Sequence, residues 1–296
     1  MINARPLSHS IGAELTGVDL SKPLDAAAFD AIHDAWLRNL VLVFRGQRLD
    51  DEQLVAFSRR FGDLDRAPVN EASNRKGSAF VPSLPEVTVI SNVVEGGVPI
   101  GALGDGEAEW HTDMSYNPVP PTASLLYSLE IPHTGGDTGF ANMYQAYETL
   151  PAALKQRVEG LSATHDASYT SAGGLRKGYS AVQDVRATPG AKHPMVRRHP
   201  ETGRPALFLG RRRNSYIGGL SVEDSEALLD LLWAHATQPQ LTYTHAWRVG
   251  DLVMWDNRCT MHRRDSFDPG SRRVMHRTQV KGVPDVVRQA GVAMAG

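Results

Sequence analysis

The chain has 296 residues and a mass of 32.3 kDa, enough for one large domain and too little for two average domains with a linker. Its 41% hydrophobic and 22% charged residues are typical of a globular protein with an ordinary core. The net charge of −2 excludes a strongly basic nucleic-acid binder, and the single cysteine, Cys259, excludes an internal disulfide and a cysteine-clustered metal site.

The longest strongly apolar run covers residues 40–44, far short of the roughly 20 residues that cross a bilayer. The first residues also lack the apolar core of a secretion signal. We therefore expect a cytoplasmic protein with no membrane and no nucleic-acid partner, folded as a single domain over residues 1–296.

In the first third of the chain, apolar residues at helical spacing predict helices over 24–37 and 50–61, the second ending at Gly62. Residues 40–44 between them indicate a buried strand. From 70 to 106 Ser, Asn, Gly and Pro dominate, apart from a strand-like run over 87–90. A loop this long inside a compact domain is usually either a functional lid or disordered, and its position just before the His-x-Asp motif at 111–113 favours an active-site lid at about 70–108.

The rest of the chain alternates short strands with turns. We predict a strand over 123–129, a turn over 135–139, and helices over 143–161 and 221–236, with a capping box at Ser221. Further short strands are predicted over 206–209, 241–244, 252–255 and 274–280. This pattern favours a mainly β sandwich or barrel with flanking helices. Neither a glycine-rich phosphate loop nor, after residue 62, βαβ spacing is present.

His111 differs from the other histidines because Asp113 follows it two positions later. In an extended strand these side chains point to the same face, and one distant histidine would complete the 2-His-1-carboxylate set of non-haem Fe(II) oxygenases. A purely structural role for this short motif stays open at this point. Several other histidines stand alone in polar surroundings and predict surface positions: His9, His133, His193 and His199.

Two arginines near the C-terminus lie in a second candidate pattern. Strand periodicity places Arg273, Met275 and Arg277 on one face. If that face is the interior, the buried guanidinium groups need acidic ligands as partners. The alternative is a pair of exposed arginines beside Asp265 and Asp268, and spacing alone does not decide between the two.

These motifs resemble the taurine dioxygenase family of Fe(II)- and 2-oxoglutarate-dependent oxygenases, which includes enzymes for 2,4-dichlorophenoxyacetate-type compounds and alkylsulfates. The resemblance extends from about residue 12 to residue 282. It rests on residues 42–47, 110–113, 135–138, 199–204, 255–258 with His262, and 273–277.

The resemblance implies a double-stranded β-helix, or jelly roll, with helices outside. By position, His111, Asp113 and His262 would bind iron. Arg273 would bind the distal carboxylate of 2-oxoglutarate, together with the hydroxyl of Thr138. The implied reaction uses Fe(II), 2-oxoglutarate and O2, hydroxylates a C–H bond and yields succinate and CO2. The carboxylate ligand favours hydroxylation over halogenation.

The resemblance also implies an anionic substrate, because Arg277 matches the arginine that holds an acidic substrate group. A sulfonate, sulfate ester, aryloxyalkanoate, or amino or carboxylic acid would fit. Glu107 stands where the taurine enzyme has a polar asparagine, which argues against taurine itself. A zwitterion with its amine at Glu107 is one interpretation, and a solvated lid glutamate is the other. Family members suggest a homo-oligomer, a dimer or tetramer. We expect residues 211–213 to form a solvated basic turn, and a place in a subunit interface is the alternative.

Two rival functions remain at this level. A metal-dependent hydrolase would use the same three ligands with an open water position, but it would need no arginine for 2-oxoglutarate. A non-catalytic binding jelly roll is the other alternative, and the complete ligand set argues against it.

Overall fold

The computed structural model describes residues 2–66, 80–103 and 108–284. Much of the predicted lid, including Glu107, therefore lies outside the described residues. Within the described ranges, none of the helices combines the length and the apolar character that crossing a bilayer requires.

The described residues form many short strands, five helices and three 3₁₀ turns. The helices are α1 Ala26–Asn39, α2 Asp51–Ser58, α3 Met143–Glu148, α4 Ala152–Val158 and α5 Val222–Ala236, and the 3₁₀ turns are Arg59–Phe61, Val185–Ala187 and Pro239–Leu241. The strands are β1 Asn3–Pro6, β2 Ala13–Thr16, β3 Val41–Phe44, β4 Phe80–Val81, β5 Leu84–Ser91, β6 Val94–Glu95, β7 Val98–Pro99, β8 Ala102–Leu103, β9 Ala108–His111, β10 Ala123–Glu130, β11 Thr138–Asn142, β12 Ser162–Thr164, β13 Lys192–Pro194, β14 Val196–Arg198, β15 Pro205–Leu207, β16 Tyr216–Ile217, β17 Thr242–His245, β18 Leu252–Asp256, β19 Thr260–Arg264 and β20 Val274–Val280.

Two sheets form the predicted double-stranded β-helix. The larger has the strand order β1-β2-β3-β18-β10-β20-β5-β4, with β8 beside β5, and the smaller has the order β17-β11-β19-β9. The strand-like run over 87–90 is confirmed as the centre of β5, which pairs with β20 and so belongs to the larger sheet. This pairing places the arginine-bearing strand β20 in the sheet opposite β9 and β19.

The larger sheet is buried on both faces. Val43 and Val253 point into a core shared with the smaller sheet and α5, whereas Phe44 and Leu252 point toward α1 and α2. This alternation follows the two-residue period of a strand and explains why residues 40–44 are apolar without interruption. The cavity that contains the site lies between the two sheets and is lined by residues of both.

Most helix predictions are confirmed, and their ends have local causes. Asp50 and Gln53 form a reciprocal capping box at the start of α2, and the Ser221 side chain accepts a hydrogen bond from the Asp224 backbone N–H at α5. The single helix predicted over 143–161 is wrong, because the chain forms α3 and α4 on either side of Pro151. Proline has no backbone N–H and disfavours a helical conformation of the residue before it.

Three further expectations are corrected by the structure. Thr138 begins β11 instead of lying in a turn, because its backbone pairs with both neighbouring strands. His193 and His199 are buried, and each ring makes hydrogen bonds inside the protein. Arg211, predicted in a solvated turn, is only 9% exposed.

Candidate active site

His111 and His262 face each other across neighbouring strands. They are register partners between β9 and β19, and their ring centroids lie 4.2 Å apart. The premise that Asp113 shares a strand with His111 is wrong, because β9 ends at His111 and Asp113 lies in the following turn. Met114 in that turn has a positive φ of 47°, an uncommon conformation for a residue other than glycine. The turn nevertheless brings the carboxylate to the two imidazoles.

One oxygen of Asp113 faces both histidines. Its Oδ1 lies 3.7 Å from Nε2 of His111 and 3.8 Å from Nε2 of His262. Two metal–ligand bonds of about 2.1 Å each span up to about 4.2 Å, so one ion can bridge these atoms. The three side chains are buried, and their ligand atoms lie within 4.8 Å of one another. The site therefore has the dimensions of a metal centre.

Neighbouring groups orient two of these ligands. Nδ1 of His111 lies 2.7 Å from the carbonyl oxygen of Glu109, so a proton on Nδ1 leaves Nε2 free to bind a metal. Oδ2 of Asp113 accepts hydrogen bonds from the Ser124 hydroxyl at 2.7 Å and the Gln279 amide at 3.2 Å. Both contacts turn Oδ1 toward the histidines.

A buried polar chain supports the carboxylate from behind. Trp255 donates to Oδ1 of Asn257, and the Asn257 amide donates to Oγ of Ser124. No role is predictable from local spacing for Ser124 or Asn257. For Gln279 a signal existed, because it lies two residues after Arg277 and shares its strand face.

His262 and Asp113 both have the protonation state that a metal ligand needs. Burial and the neighbouring His111 lower the pKa of His262 to about 3, so this imidazole is neutral at neutral pH. Burial alone raises the pKa of Asp113, but His262 and Arg277 outweigh it and hold that pKa well below its ordinary value. The pair thus offers a neutral nitrogen and an ionised oxygen.

Arg273 is buried without an acidic partner among the described residues. Its side chain is 2% exposed, and its Nε has no hydrogen-bond partner. Burial lowers its pKa to about 9, so the guanidinium stays charged at neutral pH. Thr138 lines the same cavity, and its Oγ1 accepts a hydrogen bond from Trp247. A buried guanidinium beside a fixed hydroxyl is suited to an entering carboxylate.

Arg277 lies between Arg273 and Gln279 on the inner face of β20. Its Nη1 is 3.6 Å from Oδ1 of Asp113, which places its charge directly beside the candidate metal centre. The exposed arginine pair that the sequence left open is therefore excluded. All three candidate ligands, both arginines and Thr138 lie at one cavity of about 580 Å³ or directly beside it.

A second buried group of His199, Asp256 and Cys259 also meets the distance criterion for a metal. Its chemistry differs, because Arg258 contacts both oxygens of Asp256 at 2.7 and 2.8 Å, and His199 lies 3.0 Å from Oδ2. Burial and the nearby Asp256 raise the pKa of the Cys259 thiol well above its ordinary value, which makes the thiol a poor ligand. This closed cluster is a neutralised ion-pair network.

The comparisons with known proteins match almost the whole chain. A family model described as Taurine catabolism dioxygenase TauD, TfdA family, matches residues 3–279. The (S)-phenoxypropionate/alpha-ketoglutarate-dioxygenase of Sphingobium herbicidovorans is 36% identical, covering 94% of each chain. The alpha-ketoglutarate-dependent 2,4-dichlorophenoxyacetate dioxygenase of Burkholderia sp. is 35% identical, covering 95% of each. The crystal structure of a taurine dioxygenase from Burkholderia xenovorans superposes with a TM-score of 0.77 at 36% identity, covering 95% of this chain and 90% of that one.

Proposed function

We propose a residue-level site for this chain from the premise that it belongs to the TauD/TfdA family and is an Fe(II)- and 2-oxoglutarate-dependent dioxygenase. His111, Asp113 and His262 hold the iron. The observation that carries this assignment is the single carboxylate oxygen, Oδ1 of Asp113, placed 3.7 and 3.8 Å from the two Nε2 atoms. Three ligands on one side leave positions open for 2-oxoglutarate and O2.

Arg273 and Thr138 bind the distal carboxylate of 2-oxoglutarate. The guanidinium is buried and lacks an acidic partner among the described residues, so a carboxylate supplies the missing countercharge. Trp247 donates to Thr138 and thereby leaves the threonine proton free to point at the carboxylate. These two side chains would hold one end of 2-oxoglutarate and so orient it in the cavity.

The iron, once bound with 2-oxoglutarate and O2, supplies the oxidising power that hydroxylates a C–H bond and yields succinate and CO2. The protein side chains contribute position. Ser124 and Gln279 keep Asp113 turned toward the metal, and the rings of Trp255 and Phe140 pack against His262. Burial of this shell excludes water from the reacting centre.

The substrate is a small organic anion or zwitterion whose acidic group binds Arg277. Two of the similar proteins are named for a phenoxypropionate and a dichlorophenoxyacetate, both carboxylates, and the third for taurine, a sulfonate. Arg277 lies beside the metal ligands and has a guanidinium suited to either group. Glu107 and the other undescribed residues of the lid predicted at about 70–108 lie outside the described residues, whereas Leu84–Ser91 within that range forms β5 of the larger sheet.

The same family supports the remaining proposals about the molecule. We infer a cytoplasmic homo-oligomer, a dimer or tetramer, which light scattering on the purified protein would test. The hydrolase alternative is not supported, because the similar proteins named above are dioxygenases.

Two measurements test the proposed site. Anaerobic addition of Fe(II) and 2-oxoglutarate should give the weak visible charge-transfer band of the chelate, and Asp113→Ala should abolish it. A succinate-release screen over carboxylates, sulfonates, sulfate esters and amino acids should then identify substrates. An Arg277→Ala variant that keeps the affinity of the wild type for such a substrate would overturn the role of Arg277.

A further inference from the structure

Several cationic side chains line the cavity around the site. No aspartate or glutamate is among its described lining residues. The cationic side chains that line it are Arg176, Lys177, Arg211, Arg264, Arg273 and Arg277.

These cations have different neighbours in the cavity. Arg264 and Arg273 lie together near the ring of Phe267, and Arg277 lies beside Asp113. Arg211 comes from another part of the chain, and its backbone forms a bridge with His111 of β9. Cations of the cavity therefore come both from β20 and from the segment beside β9.

Arg211 is a rigid and unneutralised cation. It is 9% exposed, its Nη1 donates to the carbonyl oxygen of Tyr169 at 2.7 Å, and its Nε has no hydrogen-bond partner. It forms no ion pair with a carboxylate of the described residues. The backbone before it is held too, since the Thr112 N–H donates to the carbonyl oxygen of Gly210 at 2.9 Å. A guanidinium fixed in this way is prepared for an anion that the described protein does not supply.

Arg176 and Lys177 add positive charge near Arg211. The guanidinium of Arg176 lies 4.0 Å from the ring centroid of Tyr116, and that of Arg211 lies 5.4 Å from the same centroid. Neither Arg176 nor the adjacent Lys177 forms an ion pair with a described carboxylate. A bound anion would reduce the repulsion between these neighbouring cations.

Apolar groups line the same cavity, among them Phe80, Ile90, Met114 and Leu126. We propose that Arg211, with Arg176 and Lys177, forms a second anion subsite, and that the substrate carries two acidic groups joined by an apolar body. One group binds Arg277 and the other binds Arg211. This inference rests on the proposed function and narrows its substrate class from anions to diacids.

The test compares matched monoacids and diacids by calorimetry on anaerobic protein loaded with Mn(II) and 2-oxoglutarate. The pairs are phenoxyacetate with 4-carboxyphenoxyacetate, benzoate with terephthalate, and heptanoate with heptanedioate. We expect at least one diacid to bind about tenfold or more tightly than its monoacid. Arg211→Gln should weaken the binding of that diacid by about 10- to 100-fold, the range for a lost charged hydrogen bond. The same variant should change the binding of the monoacid by less than about twofold.

Arg212→Gln is the matched control, because Arg212 pairs with Glu226 and Asp230 on the surface and should leave all affinities unchanged. The inference is overturned if no diacid exceeds its monoacid, or if Arg211→Gln weakens both equally. It is also overturned if that variant weakens the binding of 2-oxoglutarate instead, because Arg211 would then belong to the 2-oxoglutarate site. Failure of the wild type to load Mn(II) and 2-oxoglutarate at all would overturn the proposed function itself.

Discussion

Among the described residues, two buried histidine–carboxylate clusters take members from the segment β18–β19, which crosses from the larger sheet to the smaller, and they differ in how their charges are balanced. In the closed cluster, Asp256 at the end of β18 is neutralised by Arg258 and contacted by His199. In the candidate metal site, Asp113 turns one oxygen toward His111 and His262 while other groups hold its second oxygen.

Residue types alone do not distinguish these clusters. An arginine fork on both oxygens of Asp256 uses up its acceptors, and protonated Cys259 offers no anionic sulfur. By contrast, the neutral hydroxyl and amide on Asp113 leave its negative charge uncompensated by a fork. The comparison teaches that the partner of the carboxylate decides whether a buried cluster stabilises the fold or binds an ion.

The largest expected effect is loss of metal binding. His262→Ala should weaken Mn(II) binding by at least about 100-fold, since losing even an outer-shell partner of a metal site costs about 10- to 100-fold. Cys259→Ala, in the closed cluster, should leave affinity and stoichiometry unchanged. Equilibrium dialysis measures both, and the comparison breaks if the cysteine variant is the one that loses metal.

The free energy of unfolding should instead depend on the closed cluster. Asp256→Ala leaves Arg258 and His199 without their carboxylate and should lower the free energy of unfolding by about 3 kcal/mol, the low end for a broken buried pair because Arg258 reaches solvent. Urea unfolding provides the measurement. Asp184→Ala, which breaks the exposed pair with Arg186, is the control and should cost less than about 1 kcal/mol. Equal losses in the two variants would show that the closed cluster is not a stabilising network.

Removing the charge of Arg273 should act on 2-oxoglutarate alone. Arg273→Gln should raise the KM for 2-oxoglutarate by about 30-fold or more, because truncating one partner of a buried charge pair costs about 2 kcal/mol or more. The neighbouring Arg272→Gln changes an exposed arginine paired with Glu130 and should leave KM unchanged. Steady-state succinate formation distinguishes them, and an unchanged KM in Arg273→Gln would remove this residue from the site.

The smallest effect is a pH dependence of the closed cluster. Burial raises the pKa of Asp256, but Arg258 and His199 outweigh it and hold the pKa below its ordinary value of 3.8. A carboxylate with a lowered folded pKa stabilises the protein above its unfolded pKa and loses that contribution as pH falls. The difference in unfolding free energy between wild type and Asp256→Ala should therefore be constant from pH 7 to about 5 and shrink below about 4. A difference that grows on acidification would contradict this assignment.

The sequence predicted the strongly patterned parts of this molecule. The apolar run over 40–44 contains the strand Val41–Phe44, the strand predicted over 274–280 is β20, and α5 begins after its predicted cap, Ser221. The mainly β architecture and the dioxygenase function were available from the same motifs. The site residues fitted the family spacing, although the reason given for pairing His111 with Asp113, a shared strand, was wrong.

Other features depend on contacts between distant segments, which spacing does not contain. Arg211 follows a strand end and precedes two more arginines, a pattern typical of a surface turn, yet its bridge to His111 buries it. Likewise, Ser124 looks like an ordinary polar residue until β18 brings Asn257 beside it. Pro151 did carry a local signal against one long helix, and apolar periodicity on both sides of it concealed that signal.

The turn between β18 and β19 has a practical consequence for altering this enzyme. Three contacts lie within a few residues of each other there. Trp255 packs against His262, Asn257 donates to the Ser124 hydroxyl that supports Asp113, and Asp256 forms an ion pair with Arg258. A mutational library placed there would confound catalytic loss with misfolding at nearly every position. Mutations intended to change the substrate range should instead be placed in the segment over 170–179, which also lines the cavity and makes few of these structural contacts.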